Sequence, residues 1–428
     1  MPATKTWGIY VYYAADVLSA EMQAAARTSL VSLASAGSNE DVGITAMIDL
    51  PKLDTAYYIL PEQPTGQTTW DVYPDRFLPN VNSASLQTIA DFLQWSSDNC
   101  PAENIALVFW GHAYALDDYD PTQGQGAGTG DDSGKGRAGQ RSAAGFPGRR
   151  GQELSLLYDS SHDAVLNNRD FGGVLRSYNV SLAPKKKIQV LALDCCNMAM
   201  VEVLSELQDY AEFSVAAESM LPYRSWLTQQ VLEQFLHAGN ISPQDFAKAG
   251  VNMFIDSYMP SQDPYLALSV CNLARCQRLE EDMKELTGIL IEAIDEPENR
   301  EAIDRAWLRD VSFLADGLID LGRFCEYLQQ GMREVPGLYS AAGKVREAVK
   351  KVVPYNRYAP DDKNLKISLA TGLTVWFPPW IRFPAVRYPQ IELSKNYLTN
   401  GYPQTRFAQA TSWDRFLYKL FDLTQQQQ

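Results

Sequence analysis

The sequence predicts an α/β fold built on a mostly parallel sheet with helices on both faces. Three observations support it. Short, nearly all-apolar runs such as residues 105–110 (IALVFW) and 188–193 (IQVLAL) have the composition of strands covered on both sides. Amphipathic stretches of helical period separate these runs. Strands that alternate with helices pair in parallel, because each crossover lays a helix back across a face of the sheet.

The elements follow in order. Residues 7–13 (WGIYVYY) read as a buried strand and 19–36 as a helix, with Met22, Ala25, Leu30 and Leu33 among its apolar positions. Residues 43–50 (GITAMIDL) and 56–60 (AYYIL) read as further strands. Residues 83–97 are helical, with Leu86, Ile89, Phe92 and Leu93 on one face and Ser83 or Ser85 as N-cap. After the strands at 105–110 and 188–193, a helix is expected over 197–208 and a strand over 213–217 (FSVAA). Residues 117–152 break the pattern, being rich in glycine and almost without apolar side chains. Such a segment cannot bury enough surface to order itself, so the composition predicts a mobile loop. It is either a tolerated insertion or a regulatory cleavage site, since it carries Lys135, Arg137, Arg141, Arg149 and Arg150. From about residue 265 the character changes. Residues 275–296 and 340–353 are charged and helical, 373–377 (LTVWF) form a strand closed by Pro378 and Pro379, and 413–423 form a terminal helix before a polar tail at 425–428.

With 428 residues and 46% apolar content, the chain can bury a large core. A net charge of −15 argues against a nucleic-acid partner, which needs clustered cations. No apolar run reaches the roughly 18 residues of a membrane span. The start, MPATKTW, shows no leader pattern, so the expected location is the cytoplasm, or outside the cell if a leader has been trimmed away. Cys100, Cys195, Cys196, Cys271, Cys276 and Cys325 have neither zinc-site spacing nor the density of a disulfide framework, and reduced thiols are expected.

Chemistry concentrates at two strand ends. His112 lies two residues past the 105–110 strand, and Cys196 three past the 188–193 strand. Ligands bind at the carboxyl ends of strands in open parallel sheets, and neighbouring strands lie about 4.8 Å apart. If these two strands are neighbours, an imidazole and a thiol meet there as base and nucleophile. Two core residues would fit the same positions. Cys196 also opens the predicted 197–208 helix, whose N-terminus favours a thiolate. Extended geometry places Asp194 and Cys196 on one face and Cys195 on the other, as a small buried hydrophobe; a strained vicinal disulfide is the alternative. His162, in a polar stretch, and His237, at a helix end, read as surface residues.

At these residues the chain resembles the clostripain family of cysteine peptidases, in the clan of caspases, gingipains, legumains and separases. The two blocks read LVFWGHAYA and LALDCCNMAMVEV, and Asp194, Cys196, Met198 and Glu202 fit the family's second block. The opening WGIYVYYAAD, the stretch LQTIADFLQWSSDNCPAENIALVFWGH, AAESMLPYRSW, GLTVWFP and SWDRFLYKLF are similar too, in the same order. The resemblance implies a caspase-like three-layer α/β/α sandwich. A catalytic domain would span 1–265, with the glycine-rich loop 117–152, and a smaller, mainly helical C-terminal domain over 266–428 would pack on it. It also implies a His112–Cys196 dyad, cleavage of protein or peptide substrates after Arg or Lys, and activation by cleavage in the intervening loop, by the chain itself or by an upstream protease. Asp194 matches the position thought to line the pocket for the basic side chain; a helix cap is its other reading.

Two departures stand out. Ala113 replaces the clan's glycine after the histidine, and Cys195 replaces an alanine. The backbone N–H groups of Ala113 and Cys196 would form the oxyanion hole, and Ala113 would strain the backbone if the geometry needs φ > 0 there. The reading is thus an Arg/Lys-directed endopeptidase. A weak or inactive pseudopeptidase that binds a protein partner is the alternative, and a hydrolase of non-peptide acyl bonds a third. No cofactor is required by this chemistry. Asp117, Asp118, Asp120, Asp131 and Asp132 offer oxygen ligands for Ca2+, without EF-hand spacing, and equally read as a solvated acidic loop.

Overall fold

A computed structural model describes residues 2–62, 73–113, 155–182, 187–223, 225, 232–233, 241–256, 266–309, 317–359, 367–378, 381 and 395–425. Its strands are β1 (Lys5–Ala14), β2 (Val42–Asp49), β3 (Thr55–Leu60), β4 (Arg76–Leu78), β5 (Ala102–Trp110), β6 (Ser155–Asp159), β7 (Ala164–Asn167), β8 (Ile188–Asp194), β9 (Ala211–Ala217), β10 (Ala267–Asn272), β11 (Leu318–Asp320), β12 (Tyr355–Tyr358) and β13 (Thr374–Trp376). Nine of them form one sheet in the order β12-β10-β9-β8-β5-β1-β2-β3-β4. The central run from β9 to β2 is parallel, and antiparallel strands extend it at both ends.

The helices are α1 (Ala20–Ala36), α2 (Leu86–Asn99), α3 (Asn168–Leu182), α4 (Val201–Leu207), α5 (Pro243–Asp256), α6 (Cys276–Ala293), α7 (Pro297–Arg309), α8 (Leu321–Gly331), α9 (Leu338–Val352), α10 (Arg406–Thr411) and α11 (Trp413–Gln425). Local chemistry sets several boundaries. The Ser19 hydroxyl accepts from the Met22 N–H to start α1, and Asp320 accepts from the Arg323 N–H to start α8. Period-two alternation divides the sheet between two cores. In β1, Tyr10 and Tyr12 face a core shared with α2, α3, α4 and the C-terminal helices, whereas Ile9, Val11 and Tyr13 face one shared with α1 and α5. Trp7 stacks on Phe246 of α5 across the second core, with ring centroids 4.6 Å apart. The result is the three-layer sandwich that the sequence predicts.

The two regions expected over 1–265 and 266–428 share this sheet, because β10 and β12 lie beyond residue 265 and continue it. They also share a core, in which Leu107 and Leu191 join Cys271, Leu286, Leu328 and Leu420. The β6–β7 hairpin, which sequence patterning did not single out, turns at Asp163 with φ 46°. The segment 114–154 between β5 and β6 lies outside the described residues, and with it Asp117, Asp118, Asp120, Asp131, Asp132, Lys135, Arg137, Arg141, Arg149 and Arg150. His237 lies outside them as well. No helix among the described residues is long and apolar enough to cross a membrane.

Candidate active site

β5 and β8 are neighbours and parallel, in a register that pairs Phe109 with Leu193 and Trp110 with Asp194. His112 and Cys196 are therefore each two residues beyond a paired position, at the carboxyl ends of adjacent strands. Alternation fixes their side of the sheet. Ala106, Val108 and Trp110 of β5 and Val190 and Ala192 of β8 face the α1/α5 core, and Cys196 packs against that same core.

His112 is partly exposed at its edge, but its ring is deep enough for desolvation to pull its pKa down to about 4. The imidazole is thus neutral at pH 7 and able to accept a proton. Gly111, before it, has no room for a side chain, since a Cβ would stand 2.6 Å from Leu157 Cδ2 of β6. Ala113, after it, is buried, and it is not among the non-glycine residues with positive φ, which are Lys52, Asp163, Asn197 and Ser412 among the described residues. The methyl group that departs from the clan's glycine therefore imposes no left-handed strain.

Cys195 and Cys196 part company at the strand end. Cys195 is buried in the core on the opposite face, donates to the Phe109 carbonyl at 3.5 Å, and has its thiol pushed well above the ordinary range by burial. Cys196 is partly exposed, and the Leu221 N–H donates to its Sγ at 3.3 Å, a dipole that stabilises negative charge on sulfur. Both are free thiols, as are the other four cysteines.

The helix expected over 197–208 is shorter: α4 begins at Val201, with Met200 as its N-cap. Asn197 is left-handed (φ 58°) and its N–H donates to the Ser219 carbonyl at 2.9 Å. Ala199 is claimed on both sides, donating to the Ala217 carbonyl of β9 and accepting from the Thr374 N–H of β13. These bonds hold residues 197–200 out of helical geometry, past the point where composition favours a helix. Cys196 therefore gains nothing from a helix N-terminus, and the donor at its sulfur is the Leu221 amide. Asp194 is not a helix cap either, lying six residues before Met200.

Asp194 is buried, and the Ser225 hydroxyl donates to it at 2.5 Å. Its charge bears on Tyr13, whose hydroxyl pairs with Ser29 at 2.8 Å, so a carboxylate lies on the same face as Cys196, below the strand end. Leu221 and Ser225 were not foreseen as site residues, although both belong to the AAESMLPYRSW stretch that carries part of the family resemblance. His162 is exposed, as expected of a surface residue, and its Nδ1 lies 3.0 Å from Asp159 Oδ1. Among the described residues, the side chains with metal-ligand spacing are Asp16, Asp49 and Asp159, a group that includes neither His112 nor Cys196.

The sequence model of the Clostripain family matches residues 152–419, a span that contains Asp194 and Cys196 and begins after His112. No curated protein matches the chain. Among solved structures, the chain is similar to a secreted cysteine protease of Bacteroides thetaiotaomicron, iotapain, at 11% identity and a TM-score of 0.62, over 96% of this chain and 100% of that one. It is similar, at 15% identity and a TM-score of 0.60, to a secreted cysteine protease from the same organism bound to an irreversible peptide inhibitor, over 96% and 99% of the two chains. An inactive zymogen protease from Parabacteroides distasonis matches at 14% identity and a TM-score of 0.60, with the same coverage. At these identities the likeness is one of fold.

Proposed function

The chain belongs to the clostripain family of cysteine peptidases, and from this premise we propose that it cleaves proteins or peptides after Arg or Lys with Cys196 as nucleophile and His112 as base. The observation that carries the reading is the Trp110–Asp194 pairing, which sets both side chains two residues past one rung of the sheet. In the proposed reaction the Cys196 Sγ attacks the scissile carbonyl. His112 takes the thiol proton and delivers it to the leaving amine, and water then hydrolyses the thioester. The N–H groups of Ala113 and Cys196 would hold the oxyanion. Asp194 would receive the basic side chain before the cut, because a guanidinium or ammonium is costly to bury unpaired.

We further propose that the chain is made as a zymogen, cut after Lys135, Arg137, Arg141, Arg149 or Arg150 by itself or by an upstream protease. In support, the cut sites fall between the two strands that carry the pair, and a solved relative is described as an inactive zymogen. Six free cysteines favour a reducing compartment, although structural relatives are described as secreted.

A panel of chromogenic peptides differing in the residue before the cut tests the reaction. Arg and Lys peptides should be cleaved, Cys196→Ala should lose at least ~10³-fold in kcat, and Cys195→Ala should keep most of the activity. No cleavage of any peptide by the processed chain would favour the pseudopeptidase, and an inactive Cys195→Ala beside an active Cys196→Ala would reverse the assignment.

A further inference from the structure

A pocket open to solvent on one side lies where α3 begins, between that helix, α4 and the segment that precedes α10. Asn168 and Arg169 of α3, Glu202 and Glu206 of α4, and Tyr397 and Thr405 line it. It stands on the opposite face of the sheet from Cys196. Val201 and Val203 of α4 and Phe171 of α3 belong to the core shared with the C-terminal helices, whereas Cys196 packs against the other core. Several polar groups around the pocket are engaged. Glu206 Oε1 accepts from the Arg406 N–H at 2.7 Å, Thr405 Oγ1 donates to the Tyr402 carbonyl at 2.8 Å, and Arg169 Nη1 donates to Gln404 Oε1 at 3.0 Å.

Two lining residues are different. Asn168 is 6% exposed, and both atoms of its amide, Oδ1 and Nδ2, are buried with no hydrogen-bond partner. Glu202 is 1% exposed, and its Oε2 has none either, although Oε1 takes two donors. Buried polar atoms are almost always paired, so three unpaired ones around one pocket point to a ligand that pairs them. Their chemistry selects it. The Asn168 amide offers a donor beside an acceptor, and its complement is a group with an acceptor beside a donor, which a primary carboxamide is. Turning either amide over keeps the match. The ligand's second N–H or its oxygen lone pair remains for Glu202 Oε2, whether that carboxyl is ionised or protonated, and burial holds its pKa at about 7. A carboxylate has no proton to give Asn168 Oδ1, and an ammonium has no acceptor for Nδ2. The cavity volume is about 30 Å3, where one water takes ~10–15 Å3, so the pocket admits about two or three heavy atoms. That is the size of a carboxamide head, with the rest of the molecule at the mouth.

We propose that Asn168 and Glu202 form a binding site for a primary carboxamide, carried by free glutamine or asparagine or by such a side chain in a peptide. The bound group clamps the start of α3 to α4 and to the segment before α10. The site is separate from peptide cleavage, because it lies across the sheet from Cys196 and neither Asn168 nor Glu202 has a part in the proposed reaction.

The test reads binding and stability, so its outcome does not depend on the cleavage reaction. The full chain carrying Cys196→Ala is titrated with L-glutamine, L-asparagine, N-acetyl-L-glutamine methylamide and L-glutamate by calorimetry and thermal unfolding. At least one carboxamide should bind one to one and raise Tm by about 2 °C or more at saturation. L-glutamate, of the same size but with no N–H at the side-chain end, should bind at least ~10-fold more weakly than L-glutamine. Tighter binding of the free amino acid than of the blocked form assigns a metabolite, and the reverse assigns a peptide side chain. Asn168→Asp removes the donor and should weaken binding at least ~10-fold. Should Asn168→Asp not fold, Asn168→Leu serves the same comparison, because it leaves no unpaired polar atom at that position. Absence of binding by every carboxamide to the folded chain would mean that the pocket holds solvent alone, and overturns the proposal. So does binding that L-glutamate matches, or that the Asn168 variants retain.

Discussion

Cys196 and Asp194 point into one layer while Cys195 points into another, and the chemistry proposed here depends on that parity. Asp194 is nearly inaccessible, with the Ser225 hydroxyl on one oxygen, so a guanidinium reaching it would be largely desolvated. Asp194→Asn keeps the size and the Ser225 contact but removes the charge. We expect it to fold with an unchanged Tm while kcat/KM on Arg and Lys peptides falls by the equivalent of about 2–5 kcal/mol. An unchanged kcat/KM would place the specificity carboxylate elsewhere. His112 gives a second expectation. Desolvation holds its pKa near 4, below the usual 6.5, so the ring stays a competent base well into acid. The acid limb of kcat/KM, which reports the free enzyme, should bend near pH 4 rather than near 6.5. In His112→Ala that limb should vanish with the activity, and a bend at 6.5 in the wild type would mean that the ring is solvated in solution.

At the scale of elements, α4 joins the strand end that carries Cys196 to the C-terminal residues through the buried carboxyl of Glu202. Glu202 Oε1 accepts from the Trp376 N–H of β13 at 2.9 Å and from the Tyr402 hydroxyl at 2.7 Å. Burial raises its pKa from 4.5 to about 7 despite those two donors. With the folded pKa above the unfolded one, the folded state holds its proton longer. The associated stability is present in full below about pH 4.5 and is lost as pH rises through about 7. The shift corresponds to about 3 kcal/mol at most. Glu202→Gln cannot titrate, so urea unfolding between pH 4.5 and 7.5 should show a shallower decline for the variant than for the wild type. Parallel pH profiles would mean that Glu202 is ionised throughout. The same carboxyl explains why a glutamate in the MVEV stretch belongs to the resemblance, since it ends against β13 rather than at the chemistry.

At the scale of the molecule, the 41 residues from 114 to 154 separate β5 from β6, and the proposed cuts fall among them. Processing there would leave two chains that share the central sheet, because β5 and β8 stay paired across the break. Incubating the purified chain should yield two fragments that co-elute on gel filtration. N-terminal sequencing of the larger should begin after Lys135, Arg137, Arg141, Arg149 or Arg150, with activity rising in step. Full activity of a chain that stays intact would remove the zymogen step. In Cys196→Ala, fragments that still appear would assign the cut to another protease.

The alternation of apolar runs with amphipathic stretches determined the layered fold, because burying both faces of a strand leaves little choice of side chain. That is why the 105–110 and 188–193 runs lie within observed strands, and why parity at 194–196 separated the two cysteines correctly. The turn after Cys196 was decided by tertiary structure alone. Residues 197–200 have helical composition, but β9 and β13, distant in sequence, take their backbone groups, and a hydrogen bond already spent on a strand cannot close a helical turn. The Leu221 amide at Cys196 and the Ser225 hydroxyl at Asp194 were likewise beyond local reading, because each comes from a loop whose place is set by the packing of the sheet. The acidic cluster was hidden for the same reason. Asp16, Asp49 and Asp159 lie in three ordinary strand-end sequences, and only the parallel pairing of β1 with β2 and the packing of the β6–β7 hairpin against their ends bring the three together.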